Sequence, residues 1–193
     1  VALDIQSITK SLCYWVGGHT QGTLVLPNTY VLGTRWECDV LHVTKAFYYA
    51  EYEIKLSLAD YARDFAKRYS NWRSAPRKHE VYASKKKMEF RGKPFTKPRR
   101  FIFVTSLDLL DTEVIPAHCG HVTFEDSSRG IRFKWQRKPP SLSYATKLSP
   151  EAVFNLAVKS NSRAWEAIRA ADLWREKCRS LTDNIPTTES RDE

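Results

Sequence analysis

The sequence predicts an α/β fold, and three observations carry that reading. Short runs rich in aromatic and β-branched residues, at 47–55, 101–105, 122–125 and 131–135, have the composition of strands. Before, between and after them lie stretches that read as helices, at 5–15, 58–69 and 150–181, the second with helical spacing of its apolar residues. The 193 residues suffice for one main domain with its own core, and no apolar run is long enough to cross a membrane.

Taken in order, Ile5 to Trp15 reads as a helix ended by Gly17-Gly18, and Gly22 to Val31 as an extended pair turning at Pro27-Asn28. A strand through Asp39 follows. Thr44-Lys45 supplies a turn, and Phe47 to Lys55 is the next strand. Alternation puts Glu51, Glu53, Lys55 and Ser57 on one polar face, with Tyr52, Ile54 and Leu56 on a packing face. Ser57-Leu58-Ala59-Asp60 has the form of a capping box, which makes Asp60 a cap rather than a catalyst. The helix that follows carries its apolar stripe on Leu58, Tyr61, Ala62, Phe65 and Tyr69, while Arg63, Lys67 and Arg68 lie on the other face within reach of phosphate.

Phe101 to Thr105 is a continuous apolar run suited to a central strand, and Asp126 to Gly130 is a polar turn joining the last two strands. Ser149-Pro150-Glu151 starts a helix toward Ser160, and a second runs from Arg163 to Leu181, with Trp165, Ile168 and Trp174 as packing residues. The organisation expected is therefore a domain over 1–145 with a basic insertion at 70–100, a helical extension over 146–181 and a flexible tail over 182–193.

Charge narrows the class of partner. The chain carries 31 Lys+Arg against 22 Asp+Glu, a net charge of +9. Residues 71–100 alone hold eleven basic residues and two acids, so the rest of the chain is balanced. Such a local excess, on Arg73, Arg77, Lys78, Lys85, Lys86, Lys87, Arg91, Lys93, Lys97, Arg99 and Arg100, marks a patch for a polyanion. Trp72, Tyr82, Phe90 and Phe95 interleave with it as surfaces on which unpaired bases can stack.

Cys13, Cys38, Cys119 and Cys178 are scattered without a CxxC pair, as expected of reduced thiols. His118-Cys119-Gly120-His121 is the one soft-metal candidate, with Cys38 or His42 to complete it; the competing reading is a turn into a strand. The N-terminal 30 residues lack the order of a secretory signal, so a cytoplasmic setting is expected.

Asp39, then Glu53-Ile54-Lys55, supplies two carboxylates and an ammonium at adjacent strand ends, the parts that hold a divalent cation and activate water. This set resembles the core motif of the PD-(D/E)xK nucleases. With the flanking runs CDVLHVTKAFYYAEYEIKLSLADYARDFAKRY, KPRRFIFVTS, VIPAHCGHVTFED and WQRKPPSL, the stretch from roughly 30 to 145 is similar to the MmcB-like branch, associated with DNA repair and found also in phage proteins. The resemblance implies a restriction-endonuclease-like mixed β-sheet flanked by helices. It also implies a metal-dependent DNA endonuclease of a bacterial or phage-infected cell, using Mg2+ or Mn2+. Asp39, Glu53 and the Ile54 carbonyl would be ligands, and Lys55 the group that orients or deprotonates water. A further acid from the first helix falls to Asp4 or Gln6, with Glu37 and Glu51 as alternatives or as ordinary cross-strand ion-pair partners. The other reading is a non-catalytic nucleic-acid-binding or assembly protein that keeps the fold; homo-oligomerisation is compatible with either.

Overall fold

The computed structural model describes residues 4–18, 24–30, 37–69 and 74–183. Helix α1 (Ile5–Gly18) begins at Asp4, whose carboxylate accepts the Ser7 N–H and the Ser7 hydroxyl at 2.8 Å each. This N-cap satisfies one of the free amides of the first turn. Strands β1 (Leu24–Tyr30), β2 (Glu37–Val43) and β3 (Tyr49–Lys55) form an antiparallel meander. The extended pair expected around Pro27-Asn28 is instead the single strand β1. As an edge strand it tolerates Pro27, and Asn28, at φ 45°, is passed over in the pairing between Pro27–Val40 and Thr29–Cys38.

Helix α2 (Leu58–Ala66) follows β3, with the Ser57 hydroxyl accepting the Asp60 N–H at 3.1 Å, the capping expected from the sequence. It stops at Ala66, one turn sooner than the stripe to Tyr69 suggests. Helix α3 (Lys78–Ala83) and the two-residue strands β4 (Glu89–Phe90) and β5 (Lys93–Pro94) lead to β6 (Arg100–Ser106). A 3-10 turn at Thr112–Val114 precedes β7 (Gly120–Glu125) and β8 (Arg132–Arg137). The six-stranded sheet has the order β1-β2-β3-β6-β7-β8, with β3, β6 and β7 mutually parallel and the other pairings antiparallel. It is a mixed sheet flanked by helices, an α/β fold.

Two apolar layers explain why β3 and β6 lie at the centre. On one face Ile8, Leu12 and Val16 of α1 pack with Val40, Tyr52, Ile54, Ile102 and Val104. On the other, Tyr61, Val81, Tyr82 and Ile115 cover Phe101 and Phe103. Every residue of β3 is buried, so the face holding Glu51, Glu53 and Lys55 is not a solvated polar face but lies beneath a helical layer. The basic segment at 70–100 also reaches the core. It is no mere insertion, because α3 contributes Val81 and Tyr82 to the second layer.

The chain divides into two compact units, Val1–Phe154 and Asn155–Glu193, later than the boundary expected at 145. Residues 142–148 return to the first unit: the Leu142, Thr146 and Leu148 amides donate to the Arg99, Lys97 and Phe47 carbonyls. Helix α4 (Pro150–Asp183) is one helix of 34 residues where the sequence suggested two. Its Ser149 cap is present, the Ala152 N–H donating to the hydroxyl at 3.1 Å. Trp165 and Trp174 are exposed rather than packed. The tail expected from 182 loses Thr182 and Asp183 to this helix, and its remainder lies outside the described residues. Among the described residues, no helix is long and apolar enough to cross a membrane.

Candidate active site

The β2–β3 ladder pairs Val43–Tyr49 through Val40–Tyr52 and ends there. Beyond that point the strands no longer exchange backbone bonds in register. Instead the Asp39 carboxylate accepts the Ile54 N–H at 2.6 Å, substituting a side chain for a main-chain acceptor. This brings Asp39 against Glu53-Ile54-Lys55, where both strands line an open cavity of about 430 Å³ with Glu37, Ser57, Asp60 and Lys67. Burial, with the negative charge of Glu53, pushes the Asp39 carboxyl up to about 6. Its other oxygen accepts no hydrogen bond among the described residues.

Glu53 has a different environment. One of its oxygens meets the Lys78 ammonium at 2.7 Å, and the other meets Lys55 at 3.1 Å and Lys67 at 3.3 Å. Asp64 of α2 completes the cluster, 2.7 Å from Lys67, 3.4 Å from Lys55 and 3.6 Å from Lys78. Burial alone would raise both acids, but the ammonium groups, Lys78 foremost, hold Glu53 and Asp64 below the usual carboxylate range. Burial likewise works against the charge on Lys55 and Lys78, and the carboxylates reverse it, so both pKa values are raised. Lys55 is therefore a firmly charged ammonium in this state and not a poised proton acceptor. Glu51 accepts the Tyr82 hydroxyl at 3.0 Å on both oxygens and lies 3.8 Å from Lys78. Its complete burial pushes it up to about 7 despite that lysine.

The sequence did not single out Asp64, and it read Lys67 and Lys78 as phosphate contacts. Asp64 falls three residues after Tyr61 on the buried stripe of α2, and Lys78 precedes Val81 and Tyr82 by three and four on that of α3. A charge on an apolar helical stripe was the available signal. Lys78 is 0 % exposed, which removes it from any docking surface. Lys67 turns inward because α2 ends beneath it, its N–H donating to the Asp64 carbonyl at 3.2 Å. Lys97 is also buried, its ammonium donating to the Ser84 carbonyl at 2.8 Å.

The rest of the basic set is divided. Arg77, Lys85, Lys86, Lys87, Arg91 and Lys93 are exposed, with Lys87 paired to Glu89 at 2.9 Å; Arg73 lies outside the described residues. Arg99 and Arg100, also exposed, border a second cavity of about 440 Å³ with Trp15, Tyr48, Tyr52 and Trp135, at the opposite end of β3 from Lys55. Of the aromatic residues expected to stack on bases, Tyr82 is buried and Phe95 packs on Tyr69 with ring centroids 4.3 Å apart. Trp72 and the Phe90 side chain lie outside the described residues.

The alternative acids also separate. Asp4 is committed to the α1 cap, Gln6 borders a cavity with Tyr14 and Pro27, and Glu37 shares the Asp39 cavity. His121 bonds the Thr105 and Thr112 hydroxyls at 3.0 and 2.9 Å, and the Cys38 thiol donates to the Thr29 carbonyl, so neither joins His118 and Cys119. The residue that does is His79. Its Nδ1 is 3.1 Å from His118 Nε2, and its Nε2 is 2.8 Å from Asp64.

No family model matches the chain, and no curated protein does. A solved structure of a protein of unknown function from Silicibacter pomeroyi matches with a TM-score of 0.54 and 16% identity, over 98% of this chain and 100% of that one. At that identity the likeness speaks to the fold alone.

Proposed function

We propose that the Asp39 cavity is the active centre of a metal-dependent DNA endonuclease. The observation that carries this reading is the splaying of β2 from β3 with Asp39 bonded across to Ile54, which gathers two carboxylates and an ammonium at one open cavity. An all-oxygen donor set suits a hard cation, and the Asp39 oxygen that does not bond Ile54 has the chemistry to accept one. Asp39 and Glu53 would hold Mg2+ or Mn2+, with the Ile54 carbonyl as the further ligand that the resemblance implies. When bound, such an ion makes water a stronger nucleophile and offsets charge developing on a phosphate.

The chain's own groups do the remainder. Lys55, kept charged by Glu53 and Asp64, offers a fixed cation to the scissile phosphate and orients water through its N–H donors. Glu53 is shared with three ammonium groups, so to hold a divalent ion it would have to release one of them. Lys67 is the one able to yield, since its side chain is 31% exposed where those of Lys55 and Lys78 are almost sealed. The exposed lysines of residues 85–87 would hold the nucleic-acid backbone.

Magnesium calorimetry tests the site. Wild type should bind, and Asp39→Ala and Glu53→Ala should not; unchanged affinity in both would remove it. The ionic cluster itself favours a second reading, a fold-retaining nucleic-acid-binding protein, because Glu53 and Lys55 already neutralise each other without a metal. Wild type that binds DNA but neither binds magnesium nor cuts would support that reading.

A further inference from the structure

We propose that His79, His118 and Cys119 form a separate site for a thiophilic divalent cation, Zn2+ being the chemistry that fits. One nitrogen from each imidazole and the Cys119 sulfur lie within 4.8 Å of one another. Around a tetrahedral zinc ion, donors of these types stand about 3.3–3.6 Å apart, from bond lengths near 2.0 Å to nitrogen and 2.3 Å to sulfur. The two nitrogens are already at 3.1 Å, and the sulfur, within 4.8 Å of both, would draw closer on binding.

Two features distinguish this group from a chance cluster. His79 bonds Asp64 through Nε2 at 2.8 Å, which directs its Nδ1 lone pair at the group. A carboxylate behind a ligating imidazole is the usual outer support of a metal-bound histidine. The donors also come from two elements that the ion would fasten together, His79 from α3 and His118-Cys119 from the turn entering β7. That turn is close-fitting: a Cβ on Gly120 would stand 2.9 Å from Pro139, so only glycine fits between Cys119 and His121 there. His79 and Cys119 are buried while His118 is half-exposed, leaving a solvent edge from which water can complete four ligands.

The protons balance simply. Without metal, His118 Nε2–H donates to His79 Nδ1. On binding, the His118 proton moves to its own Nδ1, Cys119 loses its thiol proton to solvent, and one proton is released per ion. The site is distinct in chemistry from the all-oxygen centre at Asp39, and it does not depend on that centre being catalytic.

The test uses the full chain after chelator treatment, titrated with Zn2+ and with Co2+ as a spectroscopic substitute. We expect one equivalent bound, one proton released in weakly buffered solution and a thiolate-to-cobalt charge-transfer band. Cys119→Ser should abolish the band, Cys13→Ser should keep it, and excess Mg2+ should leave it unchanged. His118→Ala, at a half-exposed position, should lower zinc affinity at least about tenfold with the far-ultraviolet circular dichroism preserved. If Cys119→Ser does not fold, His118→Ala decides alone. No saturable binding, a cobalt spectrum without the thiolate band, or unchanged affinity in His118→Ala would each overturn the proposal.

Discussion

Lys67 and Lys78 touch the same carboxylates and should behave in opposite ways when removed. Lys78 is sealed among Glu51, Glu53 and Asp64, so Lys78→Met leaves buried negative charge without its main partner. A loss of about 3–5 kcal/mol is expected, the usual scale for breaking a buried pair, and urea denaturation measures it. Lys67→Met removes a partly solvated competitor from Glu53. It should tighten magnesium binding with little change in stability, and calorimetry beside thermal melting would show an unchanged or weaker affinity if Lys67 does not compete. Glu51 sets a pH dependence of known sign. Its folded pKa, pushed up to about 7, stands above the ordinary glutamate value of 4.5, so between these values the folded state holds more protons than the unfolded. Its contribution to stability therefore falls as pH rises through that window. Glu51→Gln keeps an acceptor for Tyr82 and should remove that component of the decline; stability profiles of the two proteins that stay parallel from pH 4.5 to 7 would contradict the assignment.

At the scale of elements, what could be read in advance follows from how directly each local pattern fixes its structure. Phe101 to Thr105 reads as a central strand because an uninterrupted apolar run needs cover on both faces, and β6 has it. The Ser57 cap and the Asp39/Glu53–Lys55 juxtaposition were legible for similar reasons, one from turn chemistry and the other from strand spacing. The misreadings arise where tertiary packing reverses a local signal. Alternation along β3 gives a polar face, but nothing local tells that α2 and α3 cover it with Asp64 and Lys78 as counter-charges. Lys78 sits in a basic run and Lys97 near its end, and sequence composition does not distinguish a lysine that faces solvent from one buried on internal carboxylates, as Lys78 is, or on a backbone carbonyl, as Lys97 is. Helix α4 runs unbroken where the sequence suggested two helices, and Trp165 and Trp174, expected to pack, are exposed.

Across the whole molecule, the net charge of +9 is less concentrated than the sequence suggests. Lys78 and Lys97 are consumed internally, and Arg99 and Arg100 belong to the far end of β3. Neutralising Lys85, Lys86 and Lys87 together should flatten the salt dependence of DNA binding by up to about three counterions and leave magnesium affinity intact. A salt slope equal to that of wild type would remove this run from the interface. The proposal that Asp39, Glu53 and Lys55 together cleave DNA is tested most directly at Asp39, which lies outside the lysine cluster and can lose its charge without stranding a buried partner. Asp39→Asn keeps an oxygen to accept the Ile54 N–H. The measurement is single-turnover cleavage of labelled single-stranded, duplex and branched DNA with Mg2+ or Mn2+, run beside a binding assay. Wild type should cut at least one of these substrates, and Asp39→Asn should bind it equally while cutting about a hundredfold or more slowly, the scale of losing a group that organises charge in the transition state. Wild type that binds the substrates and cuts none, or Asp39→Asn that cuts as fast as wild type, would contradict the account.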